Sequence, residues 1–189
     1  MTGEHTLYLL GTGAQPVLNI AVAVERAQAD GWQVCLGLTP TAAGWLHPYL
    51  PGLEALTGHP VRAHYKLPGE ADVWPAADVV LLAPATFNSI NRWALGLTDS
   101  FVLGYAAEAL GRGIPTVALP CVNGALAAHP QYARSLDTLR TAGARVLTPA
   151  PLSLTAPGQD DTPGFDWPLA LSEARAAYQT FQAARTSGI

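Results

Sequence analysis

The chain has little positive charge. Lys66 is its single lysine, lysine and arginine together number 10 against 14 acidic residues, and the formal net charge is −4. With no basic stripe to neutralise a row of phosphates, nucleic-acid binding is set aside. Cysteine is nearly absent: Cys35 and Cys121 fall within or at the end of apolar, strand-like runs. They are expected to be reduced buried thiols rather than a disulfide framework, and they imply no metal. There is no basic segment followed by an apolar stretch and a small-residue cleavage site, and no apolar run of membrane-spanning length. A cytoplasmic location with no membrane partner is therefore expected. Charged residues make up only 13% of the 189 residues while 49% are apolar. That is enough to bury one full core, so residues 1–189 are expected to form a single domain. The surplus of Ala, Leu and Val over charge also points to apolar surface covered by other copies of the chain, a homo-oligomer.

What is present is an alternation of short apolar runs and helical stretches. Thr6–Leu10 reads as a strand, Pro16–Ala29 as a helix with Gly31 at its exit, Gln33–Leu38 as a second strand, and Thr39-Pro40-Thr41 as the start of a helix reaching about Leu50. From Pro51 to Pro75 the chain is rich in Pro and Gly and offers only a short strand at Val61–His64. Asp78–Ala83 is a continuous apolar run of the kind a central parallel strand shows when both faces are covered. Helices at 88–97 and 101–111, a strand at 116–119, a helix at 131–142 and a strand at 145–147 follow. Residues 149–168 read as an irregular loop or flap, and 169–185 as a closing helix. Parallel neighbours need crossovers and helices supply them, so the expected fold is α/β: a Rossmann-like, doubly wound, mostly parallel sheet with helices on both faces.

In such a sheet, ligands bind beyond the carboxyl ends of the strands. Gly11-Thr12-Gly13-Ala14 follows the first strand, and its small residues would let backbone N–H groups and the Thr12 hydroxyl approach a phosphate. The third glycine of a dinucleotide fingerprint is missing, because Pro16 stands in its place. No acidic residue ends the second strand to hold a ribose; Leu38-Thr39 does. Both absences favour a mononucleotide over NAD. Thr39 and Thr41 would either donate to the same anion or cap the next helix.

The segment after the long apolar run, Pro84-Ala85-Thr86-Phe87-Asn88-Ser89 with Arg92, Ala94, Gly96 and Asp99, resembles the P-A-S-A-N-T motif and following helix of the homo-oligomeric flavin-containing cysteine decarboxylases. Thr86 stands for Ser, Ser89 for Thr and Arg92 for Lys. A second motif of that family, P-x-M-N-x-x-M-W, is partly kept as Pro120-Cys121-Val122-Asn123-Gly124-Ala125-Leu126-Ala127. The resemblance spans about residues 6–148. It implies FMN as cofactor, with Gly11, Thr12, Gly13, Thr39 and Thr41 toward the phosphate and Pro84, Ala85, Thr86, Asn88 and Asp99 along the ribityl chain and ring. It implies Asn88 in the active site, Asn123 on the substrate carboxylate, and a trimer or multiple of trimers with sites between subunits. In the family the flavin oxidises a substrate thiol to a thioaldehyde and the carboxylate then leaves as CO2, so the implied partner is a small-molecule or peptide thiol carboxylate.

Two departures qualify that implication. At the offset of the family's active-site histidine this chain has Glu70, a candidate base if buried. Val122, Leu126 and Ala127 replace both methionines and the tryptophan of the second motif. These changes keep open an FMN-binding protein without decarboxylase activity, whether a regulatory partner or a carrier of a modified flavin akin to the related prenyltransferases. An NAD(P)-dependent oxidoreductase rests on fold analogy alone.

Overall fold

The computed structural model describes residues 5–148 and 165–187. Five strands, β1 (His5–Gly11), β2 (Trp32–Leu38), β3 (Val79–Ala85), β4 (Thr116–Pro120) and β5 (Arg145–Val146), form one sheet in the order β2-β1-β3-β4-β5. Every pairing is parallel, so the expected mostly parallel sheet is wholly so. The chain runs outward from β1 to β2, then returns past β1 to β3. Strand order therefore reverses between β1 and β3, and a crevice must open beyond their carboxyl ends.

Alternating side chains divide the core between the two faces. On one face Leu7, Leu9, Leu36, Leu81 and Leu119 are buried against α1 (Ile20–Ala29), α3 (Leu50–Thr57) and α8 (Trp167–Ser187). On the other, Tyr8, Leu10, Val80, Leu82 and Ala118 meet α4 (Phe87–Ala94), α5 (Phe101–Gly111) and α7 (Pro130–Thr141). Complete burial of a leucine such as Leu81 contributes about 1.5–3 kcal/mol, which explains why the central strands are apolar throughout. Helices start where the sequence supplies a cap: Thr39 before α2 (Pro40–Leu46), Thr86 before α4, Ser100 before α5 and Asn123 before α6 (Gly124–Ala127), each side chain accepting a backbone N–H.

Several local expectations change. The first helical stretch is a 3-10 turn over Gln15–Asn19 that leads into α1. Helix does not end near Leu50 but continues through a 3-10 turn at His47–Tyr49 into α3, because Pro51 sits in the first turn, where a missing N–H costs nothing. The strand expected at Val61–His64 reduces to one parallel bridge between Gly37 and Arg62. The flap expected at 149–168 lies outside the described residues up to 164, and the closing helix starts earlier than expected, at Trp167. Among the described residues no helix is long and apolar enough to cross a membrane, and no His, Cys, Asp and Glu side chains cluster as a metal site would need.

Candidate active site

At the switch point, Thr12 joins the ends of β1 and β3. Its backbone N–H donates to Pro84 O at 3.1 Å. Its hydroxyl donates to the same carbonyl at 2.7 Å and accepts from Thr86 N–H at 2.9 Å. Thr12 is 0% exposed, so this side chain is spent within the protein. β2 is tied to the same place through Thr39 N–H on Gly11 O at 3.0 Å, and β4 through Cys121 N–H on Ala85 O at 2.8 Å. Four strand ends thus form a single rigid floor.

Above it opens a crevice of about 890 Å³, ample for a mononucleotide. One end is formed by Gly13, Ala14, Gln15, Thr39, Pro40 and Thr41. The Gln15 and Thr41 N–H groups open their helical turns and have no intrahelical acceptor. Thr39 accepts from Ala42 N–H at 3.4 Å, which leaves its own hydroxyl proton to donate. A Cβ on Gly13 would come within 2.8 Å of Thr41 Cγ2, so glycine keeps this end open. Among the described residues no Lys or Arg lines it, and an anion here meets neutral N–H and O–H donors.

The other end is built by α4 and the turns after β3 and β4. Thr86 caps α4 by accepting from Ser89 N–H at 3.2 Å, and the Thr86 and Ser89 hydroxyls lie 2.8 Å apart. Asn88, in the second position of α4, is therefore not the cap. Its exposed amide lines the crevice with no hydrogen bond to any described residue. Asn123 is half-engaged: Oδ1 accepts from Leu126 N–H at 2.9 Å. Only its NH2 remains, a pure donor suited to an anionic oxygen. Arg92 and Asp99, both half-exposed, pair along the same wall. Leu103, Val122 and Leu126 add apolar surface.

Cys121 also lines this end, and burial pushes its thiol up from 9.0 to about 11. It is thus a neutral thiol at physiological pH, poor as a nucleophile. Alkylation by iodoacetamide, followed by mass spectrometry, is expected to be slow at pH 7–8. Because the folded chain holds this proton above the unfolded value, Cys121 makes stability fall as pH rises from about 9 to about 11, and it has no effect below that window.

A protein-family model described as Flavoprotein matches residues 1–166. The chain belongs to the Flavoprotein family. Among curated relatives of this flavoprotein, the coenzyme A biosynthesis bifunctional protein CoaBC of Thermococcus kodakarensis is 29% identical over 126 residues, covering 63% of this chain and 30% of that protein. The alignment thus spans under a third of that relative's length. The FMN-dependent cysteine decarboxylase TvaF of thioviridamide biosynthesis superposes with a TM-score of 0.70 at 22% identity, covering 94% of this chain and 99% of that one. AnUbiX (PadA1), solved in complex with FMN and dimethylallyl pyrophosphate, superposes with a TM-score of 0.69 at 12% identity over 93% of each chain. At such identities these likenesses are likenesses of fold, and they match the doubly wound sheet found here.

Within this flavoprotein, the residues singled out from sequence separate into two layers. Gly13, Thr39, Thr41, Thr86, Asn88, Asp99 and Asn123 line the crevice. Gly11, Thr12, Pro84 and Ala85 are buried beneath it. A Cβ on Gly11 would crowd Ile20, Leu38 and Val17 at 2.9–3.0 Å, so that glycine serves helix-to-strand packing. Glu70 lies elsewhere: it is exposed, does not line the crevice, and its carboxylate accepts from Leu67 N–H of its own loop at 2.8 Å. Gln15, Phe87, Leu103 and Cys121 line the crevice without having been singled out as site residues. Cys121 had the clearest signal, since it directly follows a buried strand.

Proposed function

We propose that the crevice holds FMN and that the chain catalyses flavin-dependent oxidation and decarboxylation of a cysteine-type thiol carboxylate. The observation that carries this is the division of one crevice, in a chain of the Flavoprotein family, into an end of neutral N–H and O–H donors and an end with the Asn88 amide and the free NH2 of Asn123. The donors around Gly13, Thr39 and Thr41 suit a phosphate, the open Gly13 position leaves room for it, and the small-residue turn at Thr86 suits a flat ring. When bound, FMN would supply the two-electron redox chemistry.

The protein's part is then binding and orientation. Thr86 and Asn88 would hold the ring edge, Asp99 the ribityl side, and the Asn123 NH2 the substrate carboxylate, while Leu103, Val122 and Leu126 keep water off the reacting groups. Glu70 has no part in this scheme, because its carboxylate is engaged in its own loop away from the crevice. The TvaF and CoaBC likenesses support the reaction class. We extend the reading to a homo-oligomer, a trimer or multiple of trimers, working in the cytoplasm.

The visible absorption spectrum of the purified protein, with mass analysis of the molecule released on denaturation, tests the cofactor. Anaerobic addition of a peptide ending in cysteine is expected to bleach the flavin band and release CO2. Asn88→Ala is expected to keep the flavin and lower turnover about 100-fold. A bound FMN that no thiol carboxylate reduces would reject the decarboxylase.

A second reading, a carrier of modified flavin resembling AnUbiX, is favoured by one observation: no histidine or glutamate is among the described residues that line the crevice. FMN that gains the mass of a prenyl group on incubation with dimethylallyl pyrophosphate would select it.

A further inference from the structure

A second cavity, of about 520 Å³, lies between α5 and the 58–77 segment and shares no lining residue with the crevice. Its size falls within the range of small-ligand sites, about 300–1,000 Å³.

One wall is aromatic. The Tyr8 ring lies 4.8 Å from Trp74 and 4.6 Å from Tyr105, and Trp74 lies 5.6 Å from Phe101. Tyr65 lies across α5 with its hydroxyl 2.7 Å from Thr98 O and 3.0 Å from Ser100 O. It reaches there only because residue 104 is glycine; a Cβ at that position would be 1.8 Å from the Tyr65 hydroxyl. Burial pushes the Tyr8 and Tyr105 hydroxyls upward, so the wall carries no charge at neutral pH.

Against this wall stands Arg62. Its guanidinium lies 4.1 Å from the Phe101 ring centroid and 5.1 Å from that of Trp74. Its backbone is fixed on the sheet edge by bonds to Leu36 O at 3.1 Å and from Leu38 N–H at 2.8 Å. The side chain is only 12% exposed, yet among the described residues it makes one hydrogen bond, Nη1 to Asp72 at 3.1 Å. A guanidinium has five N–H donors, and those of Arg62 that Asp72 does not take are not shut away from solvent and stay open to an incoming acceptor. Asp72 is also shared with Lys66 at 3.4 Å, whereas Glu108 and Arg112 neutralise each other at 3.1 Å. The cavity thus carries one uncompensated positive charge, at its Arg62 and Lys66 side.

We propose that this cavity is a binding site for a planar aromatic carboxylate, its ring against Tyr8, Trp74 and Tyr105 and its carboxylate on the unmatched donors of Arg62 with Lys66 beside it. A carboxylate matches the guanidinium fork in two parallel bonds, and a flat ring completes the aromatic wall. This site is independent of the flavin reading.

The test is calorimetric titration of the full-length protein with 2-naphthoate and with the neutral 2-naphthamide, each with and without excess FMN. Naphthoate is expected to bind at one site whether or not FMN is present, and the amide at least about tenfold more weakly. Arg62→Met, which keeps the aliphatic stem, is expected to weaken naphthoate by about tenfold or more, while Arg134→Met, at an exposed residue that lines neither cavity, stays within about twofold. Should Arg62→Met fail to fold by circular dichroism, Lys66→Met, altering an exposed residue, must still weaken naphthoate and not the amide. No binding at millimolar ligand, equal binding of acid and amide, or displacement of naphthoate by FMN would each overturn the proposal.

Discussion

A Gly13→Val variant is expected to fold normally and to have lost its flavin. The backbone at Gly13 is not in the left-handed region, so a side chain there brings no backbone strain. The difficulty is spatial. The added Cβ would sit 2.8 Å from Thr41 Cγ2 and 3.2 Å from Thr41 Cβ, and the two further methyl groups of valine project into the end that offers the neutral donors. A phosphate denied two of those donors loses about 3–6 kcal/mol, since hydrogen bonds to a charged group contribute about 1.5–3 kcal/mol each. The dissociation constant for FMN, measured by flavin fluorescence quenching, is expected to rise at least about 100-fold. Urea unfolding of the flavin-free protein should be little changed. Gly13→Ala should show a smaller rise, because the Thr41 methyl can rotate aside. Unchanged affinity in Gly13→Val would remove the phosphate from this end.

Thr12→Val is expected to differ in showing a large loss of stability. Valine copies the shape of threonine but deletes the hydroxyl that donates to Pro84 O at 2.7 Å and accepts from Thr86 N–H at 2.9 Å. The Thr86 N–H is left without an acceptor, which costs about 1–3 kcal/mol, and the second lost bond adds about 1 kcal/mol. A total of about 2–4 kcal/mol should appear as a lower urea midpoint at unchanged slope. Thr12→Ser retains the hydroxyl and should recover most of the loss. That recovery separates the hydrogen bonds from the packing of the threonine methyl group.

These two positions show how far the sequence could be read. The Gly11-Thr12-Gly13 turn was legible as a strand-to-helix connection, and the segment from Pro84 to Asp99 as the wall of a site. Which residues of those turns face the ligand was not. Gly13 opens the crevice while its neighbours Gly11 and Thr12 pack inward, because the direction of a side chain in a turn depends on dihedral angles that composition does not encode. Asn88 and Thr86 illustrate the same limit: either can cap a helix, and only the backbone shows that Thr86 does so and leaves the Asn88 amide free. α5 lies where the sequence placed a helix, at about 101–111, and Ser100 caps its start. α3 was missed because Pro51 and Gly52 imitate a loop when they stand in a first turn. Glu70 was placed by offset from a motif, and offset along a loop does not say where its side chain lies; here the carboxylate accepts from Leu67 N–H of its own loop.

The last helix has a consequence for synthesis. Ala170, Leu171, Ala174 and Tyr178 of α8 complete the same face of the sheet to which Leu7, Leu9, Leu81 and Leu119 belong, and the Tyr178 hydroxyl meets His5 Nδ1 at 2.7 Å. The face of the first strand is therefore closed by a helix whose Tyr178 lies 173 positions further along the chain than His5. A nascent chain that has not yet released α8 from the ribosome exposes a strip of leucines and valines, so the interval between the synthesis of β1 and that of α8 is one of chaperone demand and aggregation risk.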